Sequence, residues 1–129
     1  MAAPTNGDNH IAVLLGNGNG TFKAATTYVT PSSTSLELGD FNNDGILDIA
    51  TANWSADNVS VLLGNSNGSF KAQLIIAAGT DPFHIAVGDA NGDGNLDFIS
   101  SDSGSNNLSL FFGNGDGTFQ ARQSIGTGN

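Results

Sequence analysis

Apolar residues occur along the chain in short runs separated by polar turns, and no run is long enough to cross a membrane. The longest uninterrupted apolar runs are about five residues, at positions 11–15 and 74–78. Turn formers (Gly, Asn, Asp and Ser) bound each run, and no segment keeps a helical period over ten residues. The pattern predicts an all-β chain, with one representative set of strands at residues 35–39, 46–52, 59–63 and 70–76.

Two sequence signatures recur at a nearly constant interval. The segment GDFNNDGILD at residues 39–48 returns as GDANGDGNLD at residues 88–97, an offset of 49. The second signature occurs three times, as VLLGNGNGTF at 13–22, VLLGNSNGSF at 61–70 and LFFGNGDGTF at 110–119. Because independent signatures share offsets of 48 and 49, the chain is a tandem repeat array.

The repeat length and strand content are typical of a β-propeller. Four antiparallel strands in about 49 residues make one propeller blade. A β-sandwich also has short strands, but it does not predict this regular four-strand self-similarity. We therefore expect an all-β fold of β-propeller blades with four antiparallel strands each, about 2.5 blades per chain. Residues 1–129 form a single domain, which we divide into a partial blade at 1–30 and two blades at 31–79 and 80–129.

The phase of the repeats leads to an expectation about assembly. Residue 1 aligns with residue 49, inside a second strand, so the first repeat lacks its first strand and its Asp-rich turn. Propellers need about four or more blades to close, and an open array exposes strand edges and apolar faces. The chain is therefore either a piece of a longer array or a homo-oligomer whose copies close a ring. We favour self-association.

Both Asp-rich turns have the form D-x-N-x-D-G-x-x-D, which suits a hard cation. Side-chain oxygens at positions 1, 3, 5 and 9, with a backbone carbonyl at position 7, wrap an ion the size of Ca²⁺. Position 12 is Thr51 or Ser100 where an EF-hand has Glu, and strands flank the turns. The predicted ligands are Asp40, Asn42, Asp44, Ile46 (carbonyl) and Asp48 in the first turn, and Asp89, Asn91, Asp93, Asn95 (carbonyl) and Asp97 in the second.

A simpler interpretation is that Asp, Asn and Gly only form turns. However, three carboxylates within nine residues repel each other unless they are neutralised, and the spacing repeats without slippage. We expect about two Ca²⁺ per chain in a structural role, with Mg²⁺ as the minor alternative and Zn²⁺ or Cu²⁺ disfavoured by oxygen-only ligation. The second signature holds at most one acid. It predicts a metal-free hairpin with Gly and Asn at positive φ.

The Asp-rich turns at residues 39–48 and 88–97, followed by VSVLLGN and GSF, resemble FG-GAP/VCBS-type repeats. Such repeats build the calcium-binding propellers of integrin α subunits, of secreted bacterial proteins and of a group of fungal lectins. The resemblance implies Ca²⁺ in the loop between the first two strands of a blade, held by the side chains of Asp40, Asn42, Asp44 and Asp48 and of Asp89, Asn91, Asp93 and Asp97. It also implies a seven-bladed ring in most relatives, which this chain is too short to form alone.

Strand alternation places the remaining loops on the face opposite the Asp-rich turns. The single Trp and the single Tyr fall there with His84. An aromatic ring beside Asp, Asn and Ser is typical of a sugar site, because the ring covers apolar C–H faces and the polar groups bind hydroxyls. Such residues also cap blade edges or pack structurally. The candidate ligand residues are Trp54, Asp57, Asp81, Phe83 and His84.

Charge and composition exclude several function classes. The chain has 12 acids against 3 Lys and Arg, a formal charge of −9, so it has no basic face for nucleic acid or anionic lipid. It has no Cys, and no Ser–His–Asp set or carboxylate pair stands outside the turns, so we expect no enzyme. The leading hypothesis is an extracellular, Ca²⁺-binding, lectin-like module that binds a glycan. The alternatives are a protein-adhesion module and a propeller fragment made to study oligomeric assembly.

Overall fold

The computed structural model describes residues 1–4 and 9–127, whose strands form three antiparallel sheets. The first sheet contains β1 (Ala2–Pro4), β2 (His10–Val13) and β3 (Thr26–Val29). The second contains β4 (Ser33–Gly39), β5 (Asp48–Asn53), β6 (Asn58–Leu62) and β7 (Leu74–Ala77). The third contains β8 (Pro82–Gly88), β9 (Asp97–Asp102), β10 (Asn107–Phe111) and β11 (Gln123–Gly126).

Each sheet is a meander in which every strand pairs with its neighbours in sequence. The predicted all-β fold of four-stranded antiparallel blades is confirmed, with the second and third sheets as full blades and the first as a three-stranded partial blade. The proposed boundaries at residues 30 and 79 stay a prediction. The described residues contain one 3₁₀ turn (Trp54–Ala56) and no α-helix. Among them, no helix has the length and apolar character required to span a membrane.

The prediction of a fourth strand over residues 70–76 was wrong at its start. β7 begins at Leu74, and Phe70 makes only an isolated bridge with Gly64. Between the paired residues Gly64↔Phe70 and Val61↔Leu74, the segment that leads into β7 has one residue more than the segment that follows β6. This extra residue is a β-bulge that interrupts the ladder, and the same irregularity recurs in the first and third sheets.

The sheets pack face to face through two apolar clusters. One lies between the second and third sheets, where its buried members include Val59, Val61, Phe98 and Phe111. The other joins the first and second sheets through Ile11, Val13, Ile49 and Leu62. All six residues of β5 are buried, because the second sheet is covered on both faces.

The two end sheets each keep one face without a partner sheet in the described chain. Val29 of the first sheet is 62% exposed and Ile125 of the third is 42% exposed. On the third sheet, Ile99 and Leu110 line an open apolar surface with Ala86 and Ala90. The three sheets are therefore an open stack of propeller-like blades.

Candidate functional site

The first Asp-rich turn joins β4 to β5 and is organised by its own carboxylates. Asp40 Oδ1 accepts the N–H of Asp44 at 3.1 Å, and its Oδ2 accepts that of Gly45 at 2.7 Å. Asn42 Oδ1 accepts the Asp44 N–H at 3.2 Å, while Asp44 Oδ1 accepts the N–H of Ile46 at 2.8 Å. Gly45 has φ +79°, the conformation that the sharp turn requires.

The second turn, between β8 and β9, repeats this arrangement. Asp89 accepts N–H groups from Asp93 at 3.1 Å and from Gly94 at 2.9 Å. Asp93 Oδ1 accepts the N–H of Asn95 at 2.8 Å, and its Oδ2 accepts the amide of Asn91 at 2.8 Å. The predicted ligands at positions 1, 3 and 5 are thus brought together in both turns.

The ninth-position aspartates are buried in the interior of the second and third blades. Asp48 is fully buried, and its two oxygens accept the N–H of Phe41 at 2.8 Å and that of Gly64 at 2.7 Å. Asp97 is 1% exposed and binds the N–H groups of Ala90 and Gly113, both at 2.8 Å. Each carboxylate therefore ties its Asp-rich turn to the hairpin that follows the third strand of the same blade.

These environments shift the acidity of the carboxyls in opposite directions. Burial raises the pKa of Asp48 above its ordinary value, although the N–H groups of Gly64 and Phe41 oppose the shift. The pKa of Asp93 is lowered, first by the N–H of Asn95 and then by the amide of Asn91. A bound cation would favour the ionised form of every carboxyl in the turn, including the buried one.

The donor set fits a hard cation in its chemistry. Every predicted ligand is an oxygen, and a carboxylate oxygen that accepts one N–H keeps a second lone pair. Within residues 1–4 and 9–127, however, no group of three or more His, Asp or Glu side chains lies close enough together to hold a metal ion. The aspartates instead satisfy the N–H groups of the turns, so an ion would bind through carboxylate, Asn and backbone oxygens together.

The Gly-rich hairpins of the second signature differ from the sequence expectation in one respect. Gly68 and Gly117 have positive φ as predicted, but none of the Asn residues of these hairpins does. Asn67 Oδ1 accepts the N–H and the hydroxyl of Ser69 at 2.9 and 2.7 Å, and the Asn65 side-chain amide donates to the same hydroxyl at 2.9 Å. Asp116 makes the same pair of bonds to Thr118 in the third sheet. The hydrogen bond, and not left-handed backbone, is therefore the reason for Asn here.

At the other end of the blades, two candidate ligand residues are directly joined. The Asp81 N–H donates to Asp57 Oδ1 at 2.8 Å, and both residues have left-handed backbone, with φ +53° and +52°. The Asp81 carbonyl in turn accepts the N–H and hydroxyl of Ser103 at 3.0 and 2.9 Å. Loops of the second and third sheets are thus tied together around these two acids.

The other three candidates lie near the same seam between the sheets. Trp54 is 46% exposed at the start of the 3₁₀ turn, which lies against β8. Phe83 is 59% exposed, and its carbonyl accepts the Thr34 hydroxyl at 2.8 Å. His84 Nδ1 lies 2.8 Å from Ser35 Oγ, so this ring is engaged by the inner strand of the preceding sheet.

Tyr28 was expected on this loop face, and the structure places it elsewhere. It lies in β3, half-buried, with its ring edge-to-face against Phe70 at a centroid separation of 5.2 Å. It packs with the apolar cluster between the first two sheets. Tyr28 is therefore a packing residue and not part of a ligand platform.

The sequence reasoning missed a buried polar network in the third sheet. Ser109 Oγ donates to Asp102 Oδ2 and accepts an N–H of Arg122 at 3.1 Å. Asp102 is 1% exposed, and it also accepts the Ser100 hydroxyl at 2.8 Å. At an offset of 49, the second sheet has Asn53 and Gln73 in place of the two charged residues. Aligning the repeats column by column would have revealed this matched exchange.

Comparison with known proteins identifies the family. The model of the FG-GAP-like repeat matches residues 1–51 and 40–100. No curated protein and no solved structure matches the chain. The two family matches together cover more than half of the sequence, and they include the whole first Asp-rich turn and the whole second one. The chain therefore belongs to the FG-GAP-like repeat family and is a β-propeller-like module.

Proposed function

We propose that this chain is an extracellular, non-enzymatic binding module, stabilised by Ca²⁺, that presents a carbohydrate-binding platform. The observation that carries the proposal is the exposed ring of Trp54 at the seam where Asp57 and Asp81 join two sheets. Ca²⁺ would act at the opposite end of the blades. An extracellular location is consistent with Ca²⁺ binding, because millimolar Ca²⁺ is available there.

The calcium part of the proposal rests on the two Asp-rich turns. Asp40, Asn42 and Asp44 would hold an ion in the first turn with the Ile46 carbonyl, and Asp48 would support it from inside the blade. The second turn would use Asp89, Asn91, Asp93, Asn95 and Asp97 in the same roles. Each ion would supply positive charge to three carboxylates that otherwise repel, and would fix the connection between the first two strands.

Isothermal titration of the apo chain with Ca²⁺ tests this part. We expect about two sites per chain, and the double variant Asp44→Ala/Asp93→Ala should lose both. Asp116→Ala is the matched control, since it removes an acid from a Gly-rich hairpin outside the turns. Equal titration curves for the wild type and the double variant would contradict the assignment.

The ligand part rests on the chemistry at the seam between the second and third sheets. An exposed indole can cover the apolar face of a sugar ring, and nearby carboxylates and hydroxyls can bind its hydroxyl groups. The Asp57 carboxylate is held by the backbone N–H of Asp81 at 2.8 Å. Phe83, 59% exposed in β8, would extend the aromatic surface, and His84 beside it would contribute a ring nitrogen.

A glycan array probed in Ca²⁺ buffer tests the ligand class. We expect binding to a restricted set of glycans, and Trp54→Ala should reduce it at least about tenfold, as for loss of a central aromatic contact. Phe22→Ala is a control of matched exposure, since both rings are 46% exposed. An array with no specific signal, or a Trp54→Ala variant that binds as the wild type does, would count against the sugar site.

A second candidate function, protein adhesion, would use the same surface. The exposed Phe83 and Trp54 favour it, because aromatic residues are enriched in protein interfaces. The glycan array distinguishes the two functions. If the chain is an adhesion module, we expect no glycan signal, and we expect a purified protein partner whose binding depends on Trp54 and Phe83.

Self-association is part of the proposal, since the end sheets have open apolar faces. The open face of the third sheet would take the open face of the first sheet of another copy, repeating the packing found within the chain. Light scattering at micromolar concentration should give a mass above that of one 13.1 kDa chain. A well-folded monomer under these conditions would refute this part.

A further inference from the structure

Six Asn-Gly pairs occur in the chain, and this pair has a chemistry of its own. They lie at residues 6–7, 17–18, 19–20, 67–68, 91–92 and 114–115, of which the first is outside the described residues. The Gly backbone nitrogen loses its proton and bonds to the Asn side-chain carbonyl carbon, and the side-chain amide takes up a proton and leaves as ammonia. Water then opens the succinimide ring to give Asp or isoaspartate. Gly favours this ring closure, because it has no Cβ to obstruct it.

The pair Asn19-Gly20, in the hairpin between β2 and β3, has hydrogen bonds that favour this reaction. Asn19 Oδ1 accepts the N–H of Thr21 at 3.1 Å and the Thr21 hydroxyl at 2.6 Å. Both donors bind the oxygen that becomes negatively charged when the nitrogen attacks. A hydrogen bond to a charged oxygen is about twice as strong as one to a neutral oxygen. The two donors therefore stabilise the transition state more than they stabilise the intact amide.

The attacking nitrogen of Gly20 is not held in place. Gly20 is exposed, and nothing lies within 4 Å of a Cβ built on it. Its N–H donates to no acceptor in the part of the chain that the structure describes. The equivalent Gly68 differs, because its N–H donates to the Asn65 carbonyl at 2.9 Å, and this bond must break before the nitrogen attacks. Asn67 is therefore activated as Asn19 is, but its nucleophile is restrained.

Asn17 provides a comparison within the same hairpin. The Thr21 hydroxyl has one proton and donates it to Asn19, so it accepts the side-chain amide of Asn17, at 2.9 Å. Asn17 Oδ1 accepts no hydrogen bond from the described residues. Gly18 resembles Gly20, since both are exposed, with φ +81° and +86°, and neither has an atom within 4 Å of an added Cβ. The two pairs therefore differ mainly in what the Asn carbonyl oxygen binds.

The Asn-Gly pair of the second Asp-rich turn is protected from the same reaction. The Gly92 N–H donates to Asp89 Oδ1 at 2.7 Å, and the Asn91 amide donates to Asp93 Oδ2 at 2.8 Å. The nucleophile and the leaving group are thus both bound to carboxylates, and attack must break both bonds. The predicted metal ligand Asn91 is therefore kept as Asn.

We propose that Asn19 is a site of intramolecular deamidation, and that in the folded chain it reacts faster than Asn17, Asn67, Asn91 and Asn114. Asn114 is arranged as Asn17 is, with its amide donating to the Thr118 hydroxyl at 2.9 Å. The reaction uses water as its only co-reactant and adds one negative charge to the first hairpin. It goes beyond the proposed sugar and calcium functions, because it depends on neither ligand.

The third hairpin shows that the product fits this fold. Asp116 is the repeat equivalent of Asn19, and its Oδ1 accepts the N–H and the hydroxyl of Thr118 at 2.9 and 2.6 Å. An Asp at position 19 would therefore keep both bonds to Thr21, whereas isoaspartate adds a methylene group to the main chain of the hairpin. Deamidation to Asp gives the first hairpin the charge that the third hairpin carries in its sequence.

The test is incubation of the folded chain at neutral pH, followed by proteolysis and mass spectrometry that assigns deamidation to single residues. We expect Asn19 to react about two- to tenfold faster than Asn17, the factor that one ordinary hydrogen bond corresponds to. In urea the two residues should react at similar rates, because the hairpin is lost. Equal or faster reaction at any of the other four Asn residues in the folded chain would overturn the proposal. The same Asn19 to Asn17 ratio in urea would overturn it as well.

Two variants test the part played by the Thr21 hydroxyl. Thr21→Val removes the hydroxyl and keeps the backbone N–H and the side-chain size, so deamidation of Asn19 should slow about two- to tenfold. Thr27→Val makes the same change at an exposed Thr of β3, outside the hairpin, and should leave the rate unchanged. Far-ultraviolet circular dichroism verifies that both variants are folded. If Asn19 deamidates equally fast in the two variants, the hydroxyl does not activate its carbonyl.

Discussion

Replacing Gly64 or Gly113 by Ala should destabilise the fold sharply, whereas Gly16→Ala should not. These three glycines are repeat-equivalent, and each bridges to the Phe six residues later. A Cβ at Gly64 would lie 2.5 Å from the Leu47 carbonyl oxygen, and at Gly113 it would meet the Leu96 carbonyl oxygen closer still. At Gly16 nothing lies within 4 Å of the added Cβ among residues 1–4 and 9–127.

The expected size of the effect follows from what the added methyl group displaces. The clash is with backbone, so the turn and the hairpin must separate, which costs about 1–3 kcal/mol in overpacking. That movement breaks the bond from the Gly64 N–H to Asp48 Oδ1, 2.7 Å long in the structure. A bond to a buried carboxylate contributes about 1.5–3 kcal/mol. Each substitution should therefore cost about 2.5–6 kcal/mol.

Urea unfolding of the three variants, followed by circular dichroism in EDTA buffer, measures this difference. Gly16→Ala serves as the control and should stay within about 0.5 kcal/mol of the wild type. If Gly64→Ala and Gly113→Ala unfold at the same urea concentration as Gly16→Ala, the buried aspartates do not join turn and hairpin as described.

Further predictions concern single carboxyls. The pKa of Asp116 is lowered by the hydroxyl and N–H of Thr118, so its contribution to stability is present near neutral pH and is lost as the pH falls. The urea midpoint of Asp116→Asn should equal that of the wild type near pH 7 and fall less than the wild-type midpoint below about pH 4. If the midpoints of the two proteins fall equally with pH, this prediction is wrong. Asp102→Asn and Arg122→Gln should each cost about 1–2 kcal/mol, and together less than their sum, because both side chains bind the same Ser109 hydroxyl. Strictly additive costs in urea unfolding would show that Ser109 does not couple the two charged residues.

The repeated signatures were sufficient to predict the sheets. A constant offset and short apolar runs predicted four-stranded blades, and the strands β4 and β6 begin or end within two residues of the expected positions. The Asp-rich turns also fold alike, as their identical spacing indicated. These features are local, because they depend on which residues tolerate a turn and which alternate in a strand.

Tertiary contacts decided the features that the sequence did not predict. The bulge before β7 depends on the pairing of Phe70 with Gly64. The burial of Asp48 depends on a hairpin 16 residues away, whose Gly64 N–H it binds. Tyr28 is placed by its contact with Phe70 of the next sheet. The first two pairings join separate hairpins and strands of one blade, and the third joins neighbouring blades. The apolar and polar pattern along a single strand does not contain such contacts.

Thermal unfolding in millimolar Ca²⁺ and in EDTA tests most directly whether the Asp-rich turns hold ions that stabilise the blades. A ligand at about 100 times its dissociation constant adds about 2.7 kcal/mol per site. The wild type should therefore melt at a clearly higher temperature in Ca²⁺ than in EDTA, and Asp44→Ala/Asp93→Ala should melt at the same temperature in both buffers. A wild-type midpoint that is the same in Ca²⁺ and EDTA would contradict the structural role of the ion.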